Sequence, residues 1–204
     1  MTEIDKNGLY EHFMGKYENQ NVIAKWLLKR FFLEVKATID SLPEECDVLE
    51  VGCGPGESSL RLANMMGGRH FEVSEYEQAI VDYHLDNQFP IKIIQESVYS
   101  LNREDNQFDV VVALEVLEHL EDYQLALREM CRVAAKKIIV SVPNEPVWRL
   151  LNLARGSYWG GLGNTPGHIN HWSPTAFVRL LSGYGVCEMV KKPLPWTIVV
   201  LDVA

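Results

Sequence analysis

The chain has 204 residues, room for one α/β domain with a decorated end and too few for two ordinary domains. Apolar residues make up 47%, enough to bury a sizeable core and to argue against general disorder. Twenty-eight acidic against nineteen basic residues leave a formal charge of −9, which speaks against a nucleic-acid binder and for a small substrate.

The elements follow in chain order. Residues 20–40 place Val22, Trp26, Leu27, Phe31 and Val35 at helical spacing, with an end near Pro43. This predicts a helical cap over 1–45 ahead of the first strand. From Asp47 onward, β-branched apolar runs at 47–51, 70–74, 91–95, 108–114 and 138–142 alternate with helical patterns at 57–66, 76–86 and 121–134. That alternation predicts a mostly parallel sheet covered on both faces, an α/β core over 46–142. Gly67-Gly68 supplies a stop for the second helix, and Lys136-Lys137 reads as a solvated turn before the fifth strand.

Residues 143–172 are rich in Gly, Pro, Trp, Asn and His and are too long for a simple connection, which predicts a lid or insertion. Ser173-Pro174 reads as an N-cap with proline at the first helical position, opening a terminal unit over 173–204 with strands at about 186–192 and 197–203. Cys46, Cys53, Cys131 and Cys187 form no CxxC pair and read as reduced thiols. The first six residues lack a signal pattern, and no apolar run approaches the roughly 20 residues of a membrane span. A single cytoplasmic domain is expected, with no membrane or nucleic-acid partner.

The strongest chemical feature is Glu50-Val51-Gly52-Cys53-Gly54-Pro55-Gly56-Glu57, a strand that runs into a glycine-rich turn and then a helix. Glycines admit positive φ and close ligand approach, and a helix start offers unpaired N–H groups. Glu57 stands where a dinucleotide fingerprint wants Gly or Ala, which tilts the reading away from NAD. The segment resembles the first motif of class I S-adenosylmethionine-dependent methyltransferases, and Phe108-Asp109-Val110-Val111-Val112-Ala113-Leu114-Glu115-Val116-Leu117-Glu118-His119 resembles that family's fourth-strand motif.

The resemblance implies a seven-stranded Rossmann-like sheet that binds S-adenosylmethionine and releases S-adenosylhomocysteine. It implies cofactor contacts from Glu50, Gly52, Cys53, Gly54 and Gly56, and a ribose ligand at Glu75, or at Ser74 if the turn is shorter. Glu96 would meet the adenine amino group and the Ser97 backbone a ring nitrogen, with Leu114, Glu115 and His119 beside the methionine end. Cys53 reads as a small space-filling side chain rather than a nucleophile.

The acceptor is expected to be a small molecule. If it is a hydroxyl, a base near the methyl helps, and His119, His168 and His171 are the candidates; an amine or activated carbon needs none. Tyr17, Trp148, Tyr158, Trp159 and Trp172 are the candidate acceptor contacts, through lid packing or through aromatic faces that shield the sulfonium. His168 and His171, three apart without a Cys or carboxylate at ligand spacing, predict no metal site. A non-catalytic cofactor-binding partner subunit and an NAD-dependent oxidoreductase remain as alternatives, and oligomeric state is open.

Overall fold

The computed structural model describes residues 22–204, so the segment 17–21, with the candidate acceptor contact Tyr17, lies outside the described residues. The elements are α1 (Val22–Asp40), β1 (Val48–Val51), α2 (Glu57–Met65), β2 (Phe71–Glu75), α3 (Gln78–Asp86), β3 (Ile93–Gln95) and β4 (Phe108–Leu114). A 3₁₀ turn at Leu117–His119 precedes α4 (Tyr123–Val133) and β5 (Ala134–Pro143). Then come α5 (Val147–Ala154), a second 3₁₀ turn at Trp159–Gly161, α6 (Pro174–Leu181), β6 (Val186–Lys191) and β7 (Trp196–Asp202).

The strands form one seven-stranded sheet in the order β3-β2-β1-β4-β5-β7-β6, in which β7 pairs antiparallel with both neighbours and all other pairings are parallel. β1 is buried along its whole length, as expected of a parallel strand covered on both faces. One apolar layer packs Phe31, Val35 and Ile39 of α1 and Leu62 of α2 against Val48, Val112 and Ile198. The opposite layer packs Leu127 and Met130 of α4 and Phe177 and Leu181 of α6 against Val111, Ile138 and Val199.

Helix starts follow local chemistry. Asp122 caps α4 by accepting from the Leu125 N–H at 2.9 Å, and Ser173 caps α6 by accepting from Ala176 at 3.3 Å with Pro174 at its start. The strand order reverses between β1 and β4. Their carboxyl ends open a crevice at the point where open α/β sheets bind ligands.

Two expectations change. α4 passes directly into β5 at Ala134, so Lys136 and Lys137 lie within the strand and not in a turn. Their charges are compatible with a strand because Asp109 pairs with Lys136 at 2.7 Å and Glu188 pairs with Lys137. β3 is shorter than the apolar run that predicts it, starting at Ile93. Residues 143–172, expected as a lid or insertion, contain α5, and the buried Asn152 side chain ties that helix to the following loop by donating to the Gly163 carbonyl at 2.8 Å. No helix among the described residues is long and apolar enough to cross a membrane.

Candidate functional site

The turn after β1 is a backbone structure. Gly52, Gly54 and Gly56 have φ of 71°, 52° and 81°, a run of left-handed conformations that side chains disfavour. Gly52 and Cys53 donate their N–H groups to the Ser74 carbonyl at 2.9 and 3.1 Å, which fastens the turn to the end of β2. A Cβ at Gly52 would meet Val116 at 2.9 Å and one at Gly56 would meet Phe89 at 2.5 Å. At Gly54 it would meet nothing within 4 Å, so this glycine faces open space.

The Gly54 peptide is fixed from both sides. Its N–H donates to Glu75 Oε2 at 2.7 Å, and its carbonyl lies 3.3 Å from His84 Nε2, which must carry the proton to donate there. Glu75 Oε1 accepts from the Glu77 N–H at 2.9 Å. A carboxylate has about four lone-pair directions, so Glu75 retains capacity for further donors. Ser74 is buried, and its hydroxyl donates to the Glu50 carbonyl at 3.4 Å.

Glu50, buried at the end of β1, accepts from the Ser58 hydroxyl at 2.7 Å through one oxygen, while the other has no hydrogen-bond partner. Burial pushes its pKa up to about 7. Cys53 is buried, and burial raises its thiol pKa strongly, which keeps it protonated and unreactive. After β3, the Glu96 carboxylate is bound by Arg103, whose Nε lies 3.0 and 3.1 Å from its two oxygens and whose Nη1 reaches Glu72 at 2.7 Å. The carboxylate that sequence reading gave to an adenine amino group thus sits in an ion pair. Ser97 accepts from the Tyr99 N–H at 3.3 Å in the turn that follows.

On the other side of the crevice, β4 ends at the buried Leu114, and Glu115 takes φ of 59°. That strained backbone is held by paired groups. The Glu115 N–H lies 3.2 Å from both the carbonyl and the hydroxyl of Ser141, the same hydroxyl donates to Glu115 Oε1 at 2.9 Å, and Trp196 Nε1 donates to Oε2 at 2.8 Å. Burial pushes the Glu115 pKa up to about 7. Trp196 carries no motif signal, because it lies 81 positions from its partner on the terminal strand.

Glu118, His119 and His168 come together: one ligand atom from each lies within 4.8 Å of the others. Glu118 is buried, and burial followed by the charge of Glu115 raises its pKa well above the ordinary range. His119 is exposed, with Nδ1 2.9 Å from the Gly167 carbonyl. His171 lies outside this group, its Nε2 bonded to Asn164 Oδ1 at 2.7 Å. The absence of local ligand spacing hid this group, whose members come from the turn after β4 and from a loop about fifty residues later.

The aromatic candidates divide. Trp148 stacks near His168 with ring centroids 6.0 Å apart and is anchored by its N–H to Thr165 Oγ1 at 2.8 Å. Trp159 is exposed, and Tyr158 lies under the Arg155 guanidinium at 5.9 Å. Trp172 packs edge-on to Tyr123 at 5.2 Å and against Phe177 of the core, so it seats the loop on the domain.

A methyltransferase domain model matches residues 49–140. Two probable S-adenosylmethionine-dependent methyltransferases of Mycobacterium tuberculosis are 34% identical over 102 residues, which span 48% of this chain and 36% of theirs. The ubiquinone biosynthesis O-methyltransferase of Rickettsia bellii is 31% identical over 107 residues, covering 50% of this chain and 43% of that protein. The chain therefore matches little more than a third to under half the length of these relatives.

The fold is shared with magnesium protoporphyrin IX methyltransferase from Synechocystis (TM-score 0.64, 17% identity, 91% of this chain and 89% of the other). It is shared equally with a methyltransferase from Aquifex aeolicus (TM-score 0.66, 15% identity, 85% and 89%). Over residues 49–140 the chain is similar to methyltransferase domains, and its seven-stranded topology and glycine turn are those of the class I methyltransferase fold.

Proposed function

We propose that the chain binds S-adenosylmethionine across the carboxyl ends of β1, β2 and β4 and transfers its methyl group to a hydroxyl of a small, neutral or apolar acceptor. The observation that carries this reading is the Gly54 peptide, clamped by Glu75 and His84 yet facing open space. In this reading the remaining lone pairs of Glu75 receive the ribose hydroxyls. Glu96, held by Arg103, and the Ser97 backbone shape the adenine edge. Glu50, Leu114 and Glu115 border the methionine end. The O-methyl preference draws support from the name of the Rickettsia relative.

Transfer is an in-line displacement. A lone pair of the acceptor oxygen forms the new bond to the methyl carbon while the sulfur–carbon bond breaks, and that electron pair stays on sulfur, cancelling its positive charge. S-adenosylhomocysteine is released, and the hydroxyl proton leaves to solvent or base. The protein's contribution is alignment and exclusion of water, for which effective molarity supplies roughly 7–11 kcal/mol at best. Glu118, His119 and His168 receive the acceptor hydroxyl, Trp148 offers it an aromatic face, and the segment 143–172 covers it.

Calorimetric titration with S-adenosylmethionine, S-adenosylhomocysteine and NAD tests the reading. Micromolar binding of the first two and none of NAD is expected. Gly54→Ala is expected to melt cooperatively but to lose at least about tenfold in affinity, some 1.4 kcal/mol, because its Cβ enters the ligand's space. Unchanged affinity would defeat the site assignment. NAD binding alone would establish an oxidoreductase, and binding of none, with a co-purifying chain, a non-catalytic partner subunit.

A further inference from the structure

We infer that Glu118, His119 and His168 form a binding site for a divalent cation beside the acceptor. Their ligand atoms lie within 4.8 Å of one another. Donors around one tetrahedral ion, each about 2.0–2.1 Å from it, are about 3.4 Å apart, so rotamer adjustments of an ångström or so close the site.

Three features of the chain support it. Glu118 is 1% exposed and neither of its carboxyl oxygens has a hydrogen-bond donor. It faces Glu115, which accepts from Ser141 and Trp196 and also from the protonated Glu118 carboxyl, so in the absence of an ion a proton stands between the two acids. A buried carboxylate in that setting requires a proton or a cation.

His119 points Nδ1 at the Gly167 carbonyl at 2.9 Å. That contact places the ring proton on Nδ1 and the lone pair on Nε2, the arrangement that orients metal-ligating histidines. The ring's exposure gives an ion a way in.

The loop that carries His168 is also stitched to the turn that carries the other two. Ile169 and Asn170 both donate their N–H groups to the Glu118 carbonyl, at 2.9 and 3.1 Å, and Asn170 Nδ2 reaches the carbonyls of Leu117 and Leu120 at 3.2 and 2.6 Å. The His168 ring meets His119 edge-on at 4.8 Å and stacks near Trp148. The three side chains are thus held by backbone contacts and not by chance proximity of surface groups.

Two imidazole nitrogens and one carboxylate oxygen suit an ion of borderline softness, Zn²⁺, Co²⁺ or Fe²⁺, over Mg²⁺ or Ca²⁺, which prefer all-oxygen sets. Three protein ligands leave a position open for an acceptor oxygen. This use of the ion rests on the methyl-transfer reading: the cation lowers the pKa of the acceptor hydroxyl, whose proton goes to solvent. The histidines then act as ligands and not as bases.

The test is titration of tag-free, chelator-dialysed protein with Co²⁺, read by its visible bands and by calorimetry, followed by competition with Zn²⁺ and Mg²⁺. One Co²⁺ per chain is expected, displaced by Zn²⁺ at far lower concentration than by Mg²⁺. His119→Ala and His168→Ala are each expected to weaken Co²⁺ at least about tenfold while keeping their circular-dichroism melts. No stoichiometric Co²⁺ binding, or binding indifferent to both histidine variants, would overturn the site. S-adenosylmethionine titrated in parallel separates the two claims. Cofactor binding without Co²⁺ defeats only the cation site, and Co²⁺ without cofactor defeats only the methyl-transfer reading.

Discussion

On the β1 side of the crevice the loop is local. Five consecutive residues, Gly52 to Gly56, close through backbone bonds to Ser74 and through Gly56 N–H to the Cys53 carbonyl at 3.1 Å. On the β4 side the loop is assembled at long range, with His119 bonded to Gly167 and Asn170 to Leu117 and Leu120, partners about fifty positions apart. The first depends on side chains being absent, and the second on side chains meeting. The glycine turn has no room for an added atom at Gly52 or Gly56, whereas a stitched loop can lose a bond and stay in place.

The largest expected effect breaks the first loop. At Gly56, alanine must hold φ of 81° with its Cβ 2.5 Å from Phe89 Cζ and 3.1 Å from His84 Cε1. The Phe89 ring is itself packed on His84 at 4.2 Å, so shifting it gives up that contact. Gly56→Ala should cost roughly 3 kcal/mol or more of stability, against about 1 kcal/mol for Gly54→Ala, which adds only the left-handed backbone term. Urea denaturation measures both, and Phe89→Ala should recover part of the loss. Equal costs at the two glycines would remove the distinction drawn between packing and ligand space.

The next effect is electrostatic and sharpens the same side. Glu50 binds its proton up to a pH of about 7 in the folded chain, above the ordinary value of 4.5. The folded state therefore holds an extra proton between these values, so this contribution to stability is complete below 4.5 and is lost as pH rises through 7. Its upper bound is of the order of 3 kcal/mol. Melting of the ligand-free protein should fall between pH 5 and pH 7.5, and Glu50→Gln should flatten the slope. A slope unchanged by that substitution would mean that Glu50 is ionised throughout.

On the β4 side, Trp196→Phe keeps the ring contact with Phe31 but removes the donor to Glu115 Oε2. A buried carboxylate oxygen left without its donor costs about 1–3 kcal/mol. Chemical denaturation should show it, with a loss of S-adenosylmethionine affinity beside it, because Glu115 borders the methionine end in the proposed reading.

The same contrast explains what could be read from the residues. The β/α alternation, the glycine turn and the cap at Ser173 are local signals, and they appear where the pattern puts them, whereas the cap at Asp122 replaces an expected helix start at 121. The early start of β5 is hidden because two lysines resemble a solvated turn until Asp109 and Glu188 neutralise them. Nothing in the Glu96 motif announces Arg103 as its partner, and nothing near Glu118 announces His168. His168 and His171 share a short spacing, but they lie on a loop, where a three-residue step does not put side chains on one face. One joins Glu118 and the other bonds Asn164.

The smallest effect decides whether the two loops act separately. Asn170 holds the stitched loop by two side-chain bonds, at 3.2 Å to the Leu117 carbonyl and 2.6 Å to the Leu120 carbonyl. In Asn170→Ala the backbone bond to Glu118 at 3.1 Å remains and water can replace the side-chain donors. The net cost is therefore about 1 kcal/mol. Loosening falls on the segment that carries His168 and Gly167, so turnover should drop several-fold, while S-adenosylmethionine affinity, set at Gly54 and Glu75, should stay within about twofold, less than 0.5 kcal/mol. A matching loss of cofactor affinity would show that the two sides of the crevice form one cooperative unit, coupled through Val116, whose side chain lies against Gly52.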